Sequence, residues 1–595
     1  MPMHRRHLLQ TGAAAVVALL GHGAAAARAE GGRSLGFTSV PTTLRDALTV
    51  PPEYEAQVLY PWGAPTGIAS SMPAFVPDGS NSADDQALQA GMHHDGMHFF
   101  ALDARGQRGL LVMNHEYTDE RLLHAEGTTP WSAEKTRKSL HAMGVSVIEV
   151  ELTPAGWRQV LPSRYARRIH GATPMQIAGP AAGAPMMRTA ADPSGRRVLG
   201  TFANCAMGVT PWGTYLTCEE NFQGYFGGPR EAAAQATAAQ RRYGTLGGSQ
   251  WIDYWRVDER FDLSKQPNEA HRFGWVVEID PFDPTSTPVK RTALGRKRQE
   301  GATCTLTRDG RLAVYMGDDA PFEYVYKFVS RDKVRPGNDA AVRVANRHLL
   351  DEGTLYAARY NGDGRGQWLA LEHGRNGIEA ASGFADQAEV LVHARLAGDV
   401  VRATKMDRPE WIAVHPHSGE VYLAVTGDSQ RGQPSQPAVD AANPRERNFF
   451  GGILRWREDA GDAGSLGFAW DHFVLAGDPA ADGAGARYPS ADADAFGSPD
   501  GLHFDSSGLL WIQTDMGGKG TLGNNQMLCA DPASGRIKRF LVGPAGCEVT
   551  GCVVTPDRRS LFVNIQHPSG TWPDVGRPRS ATVVVRRRDG AIVGT

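Results

Sequence analysis

Gly508-Leu509-Leu510-Trp511-Ile512, followed by Gln513-Thr514-Asp515, carries the reading of the fold: a turn residue, a short apolar run, then an abrupt return to polar and acidic side chains. By length and by its Leu, Trp and Ile content the run reads as a buried strand. The same order recurs five more times. It is found at Gly109-Leu110-Leu111-Val112-Met113 before Asn114-His115-Glu116, at Gly213 to Thr217 before Glu219-Glu220, and at Gly310 to Met316 before Asp318-Asp319. The remaining copies are Gly419 to Leu423 before Thr426-Gly427-Asp428, and Ser560 to Val563 before Asn564-Ile565-Gln566-His567. A turn feeding a buried strand, repeated along the chain, is how propeller blades read. The copies lie roughly 50 to 110 residues apart where plain blades take about 40 to 50, so long inserts must separate strands. The expected fold is all-β, an irregular β-propeller of about six blades with long inserts and a few short helices. A pair of β-sandwiches is the alternative all-β arrangement.

Working outward, residues 30–595 read as a single domain with no convincing internal boundary. The 69 glycines and 37 prolines suit many short strands with tight turns. Arg230 to Tyr243, rich in Ala, Gln and Arg, predicts one helix in an insert, and Asp478 to Asp494 predicts an exposed loop. Residues 1–29 read as a targeting segment: Arg5-Arg6-His7-Leu8-Leu9-Gln10, a short apolar run from Ala13 to Leu20, then Ala27-Arg28-Ala29. That order predicts a twin-arginine signal peptide and a periplasmic or secreted protein. No stretch reaches the roughly 20 apolar residues of a membrane helix, so no membrane span is expected. With 62 basic and 65 acidic residues there is no diffuse positive field, and no nucleic-acid site is expected. The six cysteines form no CxxC pair and predict neither a disulfide framework nor a zinc ribbon. Cys547 and Cys552 are left as a candidate pair, or as small buried hydrophobes like the others.

In a propeller, equivalent strand ends gather at one mouth of the central channel, so the acids that end these strands should converge. Converging carboxylates repel one another unless cations neutralise them. Oxygen donors in such number suit Ca²⁺ or Fe³⁺. The thiolate of Cys205, ahead of the Glu219-Glu220 strand, would add a softer donor suited to iron. Arg408 and Glu410 flank Pro409 in an extended segment, where residues two apart share a face. An arginine fork grips phosphate oxygens and a neighbouring carboxylate can hold the metal that shares them, although a plain surface Arg/Glu pair reads the same way.

At these residues the sequence closely resembles the PhoX-type bacterial alkaline phosphatases, nearly end to end. The matching motifs include Asn114-His115-Glu116-Tyr117, Gly179 to Gly183, Asn204 to Asn221, Arg272 to Asp280, Glu300-Gly301-Ala302 and Tyr315 to Asp319. They continue through Lys405 to Trp411, Ser498-Pro499-Asp500-Gly501, Leu510 to Ile512 with Asp515, Glu548 to Gly551, and Asn564 to Pro568. The resemblance implies a phosphomonoesterase acting on small phosphate esters at two ferric ions and one to three calcium ions. Cys205, Glu300, Glu410 and Asp500 are then metal ligands and Arg408 binds substrate phosphate. Arg408, Glu410 and Glu300 would act directly in catalysis. Glu116, Glu219, Glu220, Asp318, Asp319 and Asp515 are additional ligand candidates. A metal-bound oxide or hydroxide would attack phosphorus in line with the leaving alcohol. No Gly-x-Ser-x-Gly, Walker or phosphoserine signature supports a covalent route. The twin-arginine translocation machinery is the one protein partner expected, and the protein is expected to be monomeric. Three positions depart from the family pattern: Gln299 and Gly452 stand where histidine is usual, and Gly427-Asp428 replaces paired asparagines. The alternatives are a phosphodiesterase, a calcium-dependent lactonase-like propeller, or a metal-stabilised binding propeller without catalysis.

Overall fold

The computed structural model describes residues 35–248, 251–480, 485–517, 522–574 and 576–595. The twin-arginine segment lies outside the described residues. Each of the six turn–strand–acid repeats forms the second strand of one antiparallel blade, so the repeat is the blade.

Blade I starts with His94–Ala101 and continues through Arg108–His115, Gly144–Thr153 and Gly156–Gln159. Blade II runs from Asn204–Val209 through Tyr215–Glu219 and Val276–Ile279 to Val289–Arg291, and Pro174–Ala178 adds to its outer edge in parallel. Blade III opens with Thr303–Leu306 and Arg311–Met316, blade IV with Pro409–Val414 and Val421–Val425. These two share one nine-stranded sheet, because Arg365–Ala370 at the outside of blade III pairs with Gly467–Leu475 at the outside of blade IV. Blade V begins with Pro499–Phe504 and Leu510–Thr514. Blade VI consists of Glu548–Val554, Ser560–Gln566 and Ala581–Arg587, and its fourth strand is Tyr54–Pro61 from the other end of the chain. That pairing closes the ring between distant parts of the sequence. The first strand of each blade lies innermost, and these six neighbour one another in order from I to VI and back to I.

Between successive blades lies a separate apolar layer. Blades III and IV meet through Tyr315, Trp368, Leu423 and Trp456, and blades VI and I through Tyr60, Phe99, Phe562 and Val584. Strands buried on both faces explain why the second strands read as unbroken apolar runs instead of an alternation.

In such blades the first strand leaves the mouth, the second returns to it and the third leaves again. The inserts between second and third strands, residues 116–143, 220–275 and 426–451, therefore all rise on the mouth side. The predicted helix over Arg230 to Tyr243 is two helices, Arg230–Ala234 and Ala238–Tyr243. Thr237 caps the second through Gln240 N and the Gln240 side chain returns the bond, and that reciprocal cap starts a new helix where composition alone suggests continuity. Ala133–Ala142, Gln387–Val392 and Ala394–Val400 are further helices that the sequence reading does not identify. All six cysteines, Cys547 and Cys552 among them, are free thiols. No helix among the described residues is long and apolar enough to cross a membrane.

Candidate metal centre

One donor stands at or beside the start of every inner strand: Asp95, Cys205, Glu300, Glu410, Asp500 and Glu548, in blades I to VI. Their placement has a common backbone cause. Two residues upstream of five of them the chain is left-handed, with φ of 49° at His93, 54° at Ala203, 58° at Arg408, 45° at Ser498 and 68° at Gly546. For non-glycine residues this costs about 1–2 kcal/mol each, a cost that persists only where surrounding structure enforces it and that clusters at functional sites. Just downstream the pairing slips register, between His94 and Met97, Pro409 and Ile412, Pro499 and Leu502, and Thr550 and Val553. Such bulges re-aim side chains. The donors are thus turned into the mouth by a backbone device repeated around the ring.

The second strands lock this arrangement from blade to blade. Asn564 of blade VI donates to the Asp95 carbonyl and Asn114 of blade I to the Cys205 carbonyl at 2.6 Å, and the Thr426 hydroxyl of blade IV lies 3.0 Å from the Pro499 carbonyl. Gly96 packs so tightly that a Cβ there would lie 2.8 Å from the Cys205 carbonyl oxygen. Asp95 itself accepts from Thr550 Oγ1 at 2.7 Å and Gln566 Nε2 at 3.2 Å.

The donors fall into sets whose ligand atoms lie within 4.8 Å of one another: Asp95, Glu116 and Cys205; Cys205, Glu220 and Glu300; Glu300, Glu410 and Asp500; and Asp515, Glu548 and His567. The first three share corners at Cys205 and Glu300. Burial first, and then neighbouring carboxylates, push the carboxyls of Glu116, Glu220, Glu300, Glu410, Asp500 and Glu548 above their ordinary range. Burial raises Asp95 to about 6 and pushes the Cys205 thiol up. Oxygens of Glu220, Glu300 and Asp500 are buried without a hydrogen-bond partner. Buried carboxylates left unpaired in this number cost several kcal/mol each unless cations meet them. The donor set, several hard oxygens and one thiol, fits metal ions.

Arg408 closes one side of the mouth. Its Nε and Nη2 fork onto Asp319 at 2.9 and 2.6 Å, and Nη2 also reaches Glu410 Oε1 at 2.9 Å. Against the burial that would raise it, the Arg408 guanidinium holds the Asp319 carboxyl below its usual value. Arg408 and Glu410 do meet, but through the left-handed turn at Arg408 instead of strand alternation.

The predicted donors Cys205, Glu300, Glu410, Asp500, Glu116, Glu220 and Asp515 are all in these sets, and Asp319 reaches the mouth through Arg408. Glu219 and Asp318 are not brought to them. Glu219 is fully buried against Lys290 Nζ at 2.6 Å and accepts from the Gly274 and Trp275 amides. Asp318 is gripped by Arg395, with Nε at 2.9 Å. Consecutive residues at a strand end face opposite ways, so only Glu220 and Asp319 of the two acidic pairs turn to the mouth. We expect Glu219→Gln to cost about 3–5 kcal/mol in denaturant unfolding, the usual loss on breaking a buried ion pair, with metal content per folded molecule retained. Loss of metal in parallel would return Glu219 to the ligand set.

Asp95, Glu548 and His567 belong to the sets, and the sequence reading does not single them out as donors. Asp95-Gly96 repeats the donor-then-small order of Cys205-Ala206, Glu300-Gly301 and Asp500-Gly501, a signal that could have found it. Of the departures, Gln299 has a buried Oε1 without a partner beside Glu300, and Asp428 has a buried Oδ2 in the same condition. Gly452 begins the third strand of blade IV.

The sequence profile described as Alkaline phosphatase PhoX matches residues 35–569. Among solved structures, Pseudomonas fluorescens PhoX in complex with vanadate, a transition state analogue, is 51% identical, covers 94% of this chain and 100% of its own, and superposes with a TM-score of 0.90. A gluconolactonase from Xanthomonas campestris is 12% identical over 84% of this chain and 96% of its own, with a TM-score of 0.27. No curated protein sequence matches.

Proposed function

The chain belongs to the PhoX alkaline phosphatase family and is a phosphatase, and from that premise we propose that its mouth hydrolyses phosphate monoesters on two ferric and one to three calcium ions. The observation that carries this reading is the corner-sharing row of donors from Asp95 to Asp500, with unpartnered buried oxygens on Glu220, Glu300 and Asp500, beside Arg408.

Cys205, Glu300, Glu410 and Asp500 would hold the cluster, with Glu116, Glu220 and Asp95 completing it, and Glu548 would serve the separate set with Asp515 and His567. Such ions, when bound, withdraw charge from phosphoryl oxygens and activate the attacking oxygen. The chain's own contribution is positioning and charge. Asp319 takes the Nε–Nη2 edge of Arg408 and thereby fixes the guanidinium plane. With Nη2 also on Glu410 Oε1, Nη1 is left to face the phosphate oxygens and would meet the charge they gain as the ester bond breaks. Thr426 Oγ1 donates to Glu410 Oε1 at 2.8 Å and sets the rotamer of that carboxylate. That the relative from Pseudomonas fluorescens forms a complex with vanadate, a transition state analogue, supports phosphoryl chemistry for this chain. The sequence of residues 1–29 supports export to the periplasm or beyond by the twin-arginine route, and the full chain acts there on small phosphate esters.

Protein purified without chelator is expected to contain iron and calcium by elemental analysis and to hydrolyse p-nitrophenyl phosphate at alkaline pH. Chelation is expected to abolish turnover, and adding back both metals to restore it. Calcium without iron, with full activity, would overturn the iron assignment. Chelator-resistant hydrolysis would overturn the metal mechanism.

A further inference from the structure

Blade III places Arg298 two residues before Glu300, the position that Arg408 holds before Glu410 in the next blade. The two arginines differ in what they touch. Arg408 is forked onto Asp319, whereas among the described residues the Arg298 guanidinium makes no ion pair, and its buried Nε has no hydrogen-bond partner. The basic neighbours around it are committed: Arg395 to Asp318, and Arg242 to Glu323 at 2.9 Å. Glu220, Asp319 and Asp318 lie within electrostatic reach of Arg298, but Asp318 is paired and Asp319 belongs to Arg408.

Arg298 reaches outward from the metal donors toward the insert. A Cβ on Gly244, the left-handed residue that ends helix Ala238–Tyr243, would lie 3.8 Å from Arg298 Nη2. The same point lies 3.4 Å from Gln223 Cγ, and Gln223 carries a buried Oε1 without a partner. A guanidinium with an unpartnered Nε and an amide with an unpartnered oxygen, whose nitrogen is bonded to Asn221 Oδ1 at 3.4 Å, therefore flank one turn beside the mouth. Arg298 is half-buried with its Nε enclosed and unpartnered; leaving such a donor unmet is costly, and charged groups in perturbed surroundings cluster at functional sites.

We propose that Arg298 binds a second phosphate carried by the leaving group while the neighbouring Gln223 accepts from a leaving-group hydroxyl, so that the preferred substrates are phosphomonoesters bearing another phosphate. The proposal rests on the phosphatase reading above. Arg298 acts on selectivity, by holding the far end of the substrate while Arg408 holds the phosphate that is transferred. A planar fork suits a phosphate dianion, and the Gln223 Oε1, an acceptor, would take a hydroxyl of the leaving group.

The test uses metal-loaded full chain with fructose 1,6-bisphosphate and fructose 6-phosphate. The native protein is expected to favour the bisphosphate in kcat/KM. Arg298→Gln is expected to lower that preference by about 10- to 100-fold, mostly through KM, as for loss of a charge-assisted contact. Arg298→Lys should recover part of it. Gln223→Leu, which leaves the charge around the metal ligands untouched, should lower the preference by about threefold. Elemental analysis of each variant reports whether the cluster is intact. A preference ratio within twofold of native in both Arg298→Gln and Gln223→Leu overturns the subsite while leaving the phosphatase reading standing. Native protein that hydrolyses neither ester overturns both.

Discussion

Replacing Arg408 by alanine is expected to lower kcat/KM for p-nitrophenyl phosphate by about 10²–10³-fold, the usual loss when one preorganised donor to a developing oxyanion is removed, while iron and calcium stay bound. The split follows from geometry. Arg408 is a cation and ligates no metal, and of the acids it touches, Asp319 keeps its backbone fixed by its amide bond to the Arg298 carbonyl and Glu410 keeps its carboxylate bonded to Thr426. Removing the guanidinium leaves those two acids with less positive charge nearby, which strengthens their demand for metal. Arg408→Lys should fall between, since a lysine keeps the charge and loses the fork. Metal content measured on the same preparation as turnover decides the matter. Parallel loss of metal and activity in Arg408→Ala would remove Arg408 from the substrate and make it a support of the cluster.

The left-handed conformation of Arg408 bears on the same point. A φ of 58° is costly for a residue with a Cβ, and four of the six blades accept that cost with a side chain other than glycine at this position, namely His93, Ala203, Arg408 and Ser498. Position two before the donor is thus where the mouth presents side chains that are not ligands. In the function proposed above Arg408 would use it to face phosphate, and Arg298 fills it in blade III.

The second strands were legible because each is buried on both faces and ends abruptly in acid, giving a pattern of apolar content and turn chemistry that needs no partner to be recognised. Six copies on six blades follow from it directly. The inner strands were not legible in the same way. They line a narrow axis, where neighbouring backbones approach as closely as Gly96 approaches the Cys205 carbonyl, so small residues follow the donors and no long apolar run forms. Glu300 and Asp500 came into view through resemblance to known phosphatases, and Asp95 through neither route. Acidic pairs misled for a different reason. Glu219 and Glu220 look alike in sequence, yet the strand end turns one into the blade toward Lys290 and the other to the mouth. Which of the two faces the channel depends on the bulge between Thr217 and Glu219, and a bulge leaves no composition signal.

Glu300 carries the second large effect. It is the donor common to the set with Cys205 and Glu220 and the set with Glu410 and Asp500, and the Cys205 thiol donates to its Oε1 at 3.3 Å while its Oε2 has no hydrogen-bond partner. A carboxylate common to two donor sets would be placed to serve the cation of each. Glutamine has the same shape but offers one neutral oxygen and a nitrogen that does not bind hard cations. Glu300→Gln is therefore expected to lose metal at both positions it joins and to lower kcat by at least about 10³-fold, the scale of removing a metal-centred activation. Asp515→Asn, in the separate set with Glu548 and His567, should remove at most the metal of its own set and cost far less turnover. The two variants differ in one carboxylate each, so net charge cannot account for the contrast. If Glu300→Gln retained its full complement of iron and calcium, Glu300 would not join the two positions, and the row of donors would be separate sites in place of one cluster.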